Sequence, residues 1–188
     1  MDSRVKLYLE RAEGEILLAK TNFEMSLSEE IKNTLNLPKE QTFFADVISE
    51  SYYSIFYAAK AYLILKGIET KVPDEHKKTY KQFKKIVDSG DLDEELLEIY
   101  ESEAEKADAL LKILLLERGK RGRFTYDVNS NANIPYAEES IKNAREFVSV
   151  IKELAEKFDD EKNSKDADKG RGKSEENKGE RYRGKSLS

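Results

Sequence analysis

The stretch from Gln41 to Lys66 constrains the fold more than any other part of this chain. Phe44, Val47, Ile48, Tyr52, Ile55, Ala59, Tyr62 and Leu63 recur at intervals of three and four, the spacing of one helical face. Phe43, Tyr53, Phe56, Tyr57 and Leu65 spread apolar surface around much of the same cylinder. A helix apolar on nearly every side has to be enclosed by other helices, or shared between a bundle and a partner. Gly67 is a natural C-cap for it.

The flanking sequence supplies the enclosing helices. From about Arg4 to Glu24, the residues Val5, Tyr8, Ala12, Ile16, Ala19 and Phe23 form one apolar face. A shorter helix follows through Leu27, Ile31 and Leu35. Asn36-Leu37-Pro38 ends it, because proline disfavours helix in the residue before it. Pro73 opens a further helix that carries Tyr80, Phe83 and Ile86 to about Asp88, where Ser89-Gly90 breaks it. Asp91-Leu92-Asp93-Glu94 reads as a capping box for the next helix, with Leu96, Ile99, Tyr100, Ala104, Ala107, Leu110, Leu111 and Leu114 as its face. Arg118 to Pro135 reads as a loop. The last helix starts near Pro135, with Ala137, Ile141, Ala144, Val148, Ile151 and Ala155 on its apolar face, joined by Phe147, Leu154 and Phe158. No segment alternates with period two. The expected fold is all-α, an antiparallel up-and-down bundle of four to five helices.

Composition places the domain boundary. From Asp159 to Ser188 there are eight acids and nine bases, with Ala167, Tyr182 and Leu187 as the apolar residues. Such a segment cannot bury enough surface to offset its chain entropy, so residues 159–188 are expected to be a disordered tail on a 1–158 bundle. The net charge of -5 then resolves into a body of 24 bases against 30 acids and a nearly balanced tail. That balance argues against a protein that coats nucleic acid through bulk charge. With no Cys and a single His, His76, thiolate sites, HExxH zinc sites and a Cys nucleophile are excluded, and neither a metal nor a cofactor is expected. No apolar run is long enough to span a membrane, and the charged N-terminus is not a signal peptide, so a soluble cytoplasmic protein is expected.

Leu116 to Asp127 is the most unusual segment. Arg118, Lys120, Arg121 and Arg123 concentrate four cations in six residues of an otherwise acidic body. Gly119 and Gly122 allow close backbone approach to a ligand, arginine binds phosphate in a planar fork, and Phe124 and Tyr126 are placed to stack on a base. The same cations also suit the carbonyl end of a helix, where its dipole favours positive charge. His76 has the pKa of a proton shuttle, and equally the position of an ordinary helix-start residue. Tyr53 and Tyr57 are i,i+4 neighbours off the main face of their helix and suit a cleft or a dimer seam. Glu101 with Lys106, and Glu138 with Glu139, read as solvated faces.

Four blocks in order resemble the HEPN (higher eukaryotes and prokaryotes nucleotide-binding) domain family, over residues 1–155. Ser51-Tyr52-Tyr53-Ser54-Ile55-Phe56-Tyr57-Ala58-Ala59-Lys60-Ala61-Tyr62-Leu63, followed by Lys66-Gly67, resembles its signature helix. His76 with Phe83 resembles its His-then-Phe pattern. Ser89 to Leu96 resembles its short interhelical break. Arg121 to Tyr126 with Asp127 resembles its Arg-x-x-Ala-Asp-Tyr element.

The resemblance implies a bundle of four to five helices that forms homodimers. It also implies either a metal-independent ribonuclease acting through Arg-x4–6-His, or a module paired with a nucleotidyltransferase, often as a toxin–antitoxin system. Arg121 matches the family's Arg, but the x4 spacing reaches Tyr126 rather than His, and no His lies downstream. Tyrosine, with a pKa near 10, is a poor general base at neutral pH. The expectation is therefore a non-catalytic nucleotide- or RNA-phosphate-binding module. Arg118, Arg121, Arg123, Tyr126, His76 and Tyr53 are its ligand-binding residues. A divergent ribonuclease with Arg121 and Tyr126 as catalytic residues, and a dimeric helical scaffold, are the alternatives.

Overall fold

The computed structural model describes the backbone of residues 1–119 and 134–183, which form α1 (Ser3–Leu27), α2 (Glu29–Thr34), α3 (Phe44–Leu65), α4 (Glu75–Asp88), α5 (Glu94–Gly119) and α6 (Ile134–Arg183). There is no strand among the described residues, and no helix there is long and apolar enough to cross a membrane. The described residues are all-helical: five long helices and the short α2.

Local chemistry sets the helix ends. The Asp2 carboxylate accepts the Arg4 backbone N–H at 2.8 Å and opens α1. Ser28 does the same for α2 through the N–H of Ile31. Phe43 precedes α3 without a capping side chain of its own, and the Ser26 hydroxyl on α1 accepts its N–H at 2.7 Å instead. At the far end of α3, Gly67 takes φ +77°, and the N–H of Ile68 reaches the carbonyl of Leu63. This closing turn needs a residue that tolerates positive φ, which is the reason for glycine there. Helix α4 starts at Glu75 rather than at Pro73, because Asp74 stands in the left-handed region at φ 60°.

Helix α3 is the centre of the bundle, as its all-round apolarity requires. It packs against α1, α4, α5 and α6. Ile55, Ala58, Ala59, Ala61 and Leu63 are sealed from solvent, and Val5, Leu9 and Ala12 of α1 join them with Phe83, Tyr100, Phe147 and Ile151. Each large apolar side chain sealed in this way contributes about 1.5–3 kcal/mol. A second, smaller cluster of Ala19, Phe44, Val47, Ala137 and Ile141 closes the other end.

The pairings give the helix directions. Arg4 with Glu69, Ser54 with the Ala12 carbonyl, and Asn22 with Glu50 make α1 and α3 antiparallel. Lys106 with Glu139, Glu103 with Asn143, and Tyr100 with Phe147 make α5 and α6 antiparallel. The α3–α4 pair departs from the expected alternation. Tyr52 meets His76 in the first turn of α4, Tyr62 meets Phe83 near its end, and Lys66 meets Asp91 just beyond. The two helices therefore run the same way, because the nine residues 66–74 double back along α3 before α4 begins.

The tail also differs from the expectation of disorder. The backbone continues α6 as helix to Arg183, yet no described side chain beyond Ala155 is buried. A helix already nucleated by its packed half extends one hydrogen bond at a time without tertiary contacts. Past residue 158 the bundle still contacts this helix through charge, where the Met1 ammonium pairs with Asp159.

Candidate functional site

Among the residues expected to bind ligand, Arg118 has its backbone in the last turn of α5; its side chain, and Arg121, Arg123 and Tyr126 entirely, lie outside the described residues. The other two, Tyr53 and His76, are brought together although they are 23 positions apart in the chain. The parallel course of α3 and α4 does this, by laying the first turn of α4 across the middle of α3.

His76 is held on three sides. Its ring stacks on Phe56 with centroids 3.8 Å apart and planes 10° apart. Its Nδ1 lies 3.0 Å from the Tyr52 hydroxyl oxygen. The Tyr53 ring meets it edge-on at 5.5 Å. Burial disfavours the imidazolium, and nearby Lys60 adds to that, so the His76 pKa falls below the usual histidine value despite Glu75 beside it. The ring is neutral at pH 7. Burial, with Asp108 and Tyr53 nearby, pushes the Tyr52 phenol up to about 12, so Tyr52 keeps its proton.

Lys60 lies directly behind this ring. It is 5% exposed, pairs with Glu75, and sits 4.6 Å from the centroid of Tyr8 and 5.7 Å from that of Phe56. Burial works against its charge, but the hydrogen bonds to Glu75 and Tyr8 outweigh that and raise its pKa. An aromatic row leads outward from the imidazole. Tyr53 stacks on Tyr57 at 6.3 Å, Tyr57 stacks on Tyr8 at 6.1 Å, and the Arg11 guanidinium lies 5.1 Å over Tyr57. Tyr53 keeps 41% of its surface exposed at the rim. Tyr52 read as core in the sequence and is in fact the imidazole's partner. The roles of Tyr8, Arg11 and Glu75 depend on contacts between helices that periodicity does not encode.

A second polar group is buried between α3, α5 and α6. Glu103 is fully buried; one oxygen accepts from Lys106 at 2.8 Å and from Asn143 at 2.9 Å, while Oε2 has no partner. The hydroxyls of Ser51 on α3, Tyr100 on α5 and Ser140 on α6 are also buried without partners among the described residues. Lys106 bridges Glu103 and Glu139 rather than pairing with Glu101, which instead accepts from Tyr80 at 2.5 Å and from Lys84. Glu138 and Glu139 are exposed, as read from the sequence, whereas Glu101 is partly covered and bonded to Tyr80.

An open groove of about 700 Å³ runs between α1 and α6, lined by Lys20, Phe23, Ile141, Lys142 and Arg145 among others. Its three cations face three carboxylates, Glu24, Glu138 and Glu146, so no charge of one sign converges there. The His76 cluster, with its fixed ring, neutral nitrogen and exposed aromatic rim, is the better candidate. No family model matches the sequence, and no curated protein matches it.

Proposed function

We propose that this chain is a HEPN-like, non-catalytic module that binds nucleotides or RNA, with the base seated against Tyr53 and His76 and the phosphates held by Arg118, Arg121 and Arg123. The observation that supports the reading most is the meeting of Tyr53 and His76 in one aromatic cluster whose rim, Tyr53, is exposed. Stacking of a base on an aromatic side chain contributes about 1–3 kcal/mol in single-stranded nucleic acid binding. Arg118, Arg121 and Arg123 supply the complementary phosphate contacts. A neutral, half-buried imidazole beside a protonated tyrosine fits recognition better than proton transfer at pH 7.

The test is a titration with ATP and with short single-stranded RNA. Tyr53→Ala is expected to weaken binding at least tenfold, and Arg121→Ala to weaken it and flatten its salt dependence. Binding that is unchanged by both substitutions contradicts the assignment.

One observation favours the scaffold alternative alongside this reading. Leu7, Leu17 and Leu18 of α1 are exposed, at 53%, 66% and 48%. If the chain forms homodimers through α1, light scattering gives twice the monomer mass, and Leu18→Glu returns it to the monomer. A monomeric wild-type chain removes that reading.

A further inference from the structure

We propose that Tyr52 is a positioning residue that fixes His76 as the Nε2–H tautomer, so that the cleft beside Tyr53 presents a hydrogen-bond donor to a carbonyl oxygen on a stacked nucleobase. The ligand assignment rests on the nucleotide-binding reading above; the tautomer does not.

The argument begins with the Tyr52 hydroxyl. It is half-buried, and its one hydrogen bond is the 3.0 Å contact with His76 Nδ1. If Nδ1 carried the imidazole proton, the phenol oxygen would accept and its own proton would have no hydrogen-bonded acceptor among the described residues. Leaving a buried donor unmade costs about 1–3 kcal/mol, so the hydroxyl donates and Nδ1 accepts. A neutral imidazole holds one ring proton, which then sits on Nε2. The ring cannot turn over to exchange its nitrogens, because Phe56 lies flat against it at 3.8 Å and Tyr53 abuts its edge at 5.5 Å. Nε2 has no hydrogen-bond partner among the described residues and is not among the sealed, unpaired atoms of the core, so its proton is open to solvent beside Tyr53.

The electrostatics then select the acceptor. Lys60, the cation whose charge acts on His76, is buried and paired with Glu75. The imidazole adds no charge. At the imidazole itself the site therefore offers a dipolar donor and an exposed ring, while the Arg11 guanidinium lies farther along the row, over Tyr57. A flat heterocycle with an exocyclic oxygen fits both features. It stacks on Tyr53 while its oxygen accepts from Nε2–H. Uracil carries such an oxygen; adenine does not.

The chain's single histidine makes the experiment direct, since every imidazole nitrogen signal comes from His76. Nitrogen-15 NMR of the free protein at pH 7.5 is expected to show a protonated Nε2, an unprotonated Nδ1, and coupling between Nδ1 and the Tyr52 hydroxyl proton. In Tyr52→Phe that coupling is lost while the Phe56 ring-current shift on the imidazole stays. A protonated Nδ1 overturns the tautomer assignment. Six-nucleotide oligouridylate and oligoadenylate, which share one backbone, then test the ligand. Oligouridylate is expected to bind about tenfold more tightly and to shift the Nε2–H signal, as one hydrogen bond implies. Inorganic phosphate is expected to leave that signal unmoved. Equal binding of the two oligomers, or a phosphate-induced Nε2–H shift of the same size, overturns the base assignment while the RNA-binding reading stands. If neither oligomer binds, both fall, and the tautomer result remains a property of the free protein.

Discussion

Two polar groups in this bundle are handled in opposite ways. Around His76, Tyr52 bonds Nδ1, Glu75 neutralises Lys60, and the one ring nitrogen left over opens toward solvent. Around Glu103, the polar atoms lie deeper, and Glu103 Oε2 and the hydroxyls of Ser51, Tyr100 and Ser140 are shut in with nothing to bond. Unpaired polar atoms inside a fold cost stability without offering access. The first arrangement is suited to a visiting ligand. The second is internal structure whose effects fall on stability. Substitutions in the two groups should therefore separate: those at Glu103 change folding, and those at Tyr53 and His76 change binding.

The largest expected effect is at Glu103. Glu103→Ala removes an acceptor shared by Lys106 and Asn143 and leaves a cavity beside Tyr100. Lys106 keeps Glu139 at 2.9 Å, which limits the loss below that of a fully orphaned buried charge. The expected cost is about 2–3 kcal/mol, read from urea denaturation at constant slope. Tyr53→Ala, at the exposed rim, should cost under about 1 kcal/mol in the same assay. Equal costs for the two substitutions erase the contrast.

The pH dependence sharpens it. Burial raises the Glu50 pKa to about 7, against the hydrogen bond from Asn22, and Asp46 and Glu15 raise it further. A carboxyl that titrates near 7 when folded and near 4.5 when unfolded binds more protons in the native state. Its protonated form favours folding, so stability falls as pH rises from about 4.5 through about 7. Because Glu50 is partly solvated, the whole effect should be about 1 kcal/mol after solvent screening. His76 acts with the opposite sign. Its depressed pKa removes stability as pH falls below 6.5. Glu50→Gln keeps an acceptor for Asn22 and should raise stability at pH 8 while exposing the His76 slope. Denaturation midpoints from pH 5 to 8 that do not change with Glu50→Gln contradict this account.

What the sequence made legible follows the same division. The central place of α3 was legible because its apolar residues surround the cylinder, and a helix of that kind has no solvated face. The stops at Gly67 and Gly90 were legible because positive φ selects glycine. The Tyr52–His76 contact was not, since it depends on residues 66–74 doubling back so that α4 runs alongside α3. Periodicity reports which face is inside, not which way the next helix runs. Glu103 is an intermediate case. It stands three positions after Tyr100 and seven after Leu96, so it shares their buried face, whereas Ala104, expected on that face, is half-buried. A carboxylate at a core position is easily passed over when apolar residues alone define the stripe. Tyr53 and His76 were legible singly as candidates, and their meeting was not.

The smallest expected effect isolates the meaning of an unpaired hydroxyl. Ser51 and Ser54 lie three residues apart on α3, and both are fully buried. Ser54 donates to the carbonyl of Ala12 at 2.9 Å and ties α3 to α1, whereas the Ser51 hydroxyl has no partner. Ser54→Ala should therefore cost about 1 kcal/mol, the net value of one hydrogen bond, because the Ala12 carbonyl loses its extra donor. Ser51→Ala removes no hydrogen bond and replaces a poorly solvated oxygen with hydrogen. Its effect should lie within about 0.5 kcal/mol of zero, and Ser140→Ala should behave in the same way. The two serines share a helix, a chemistry and a burial, so the difference between them measures pairing alone. If Ser51→Ala proves as costly as Ser54→Ala, the Ser51 hydroxyl is bonded in solution. A water held between α3, α5 and α6 would then be its partner, and the Glu103 group would be a hydrated layer rather than an unsatisfied one.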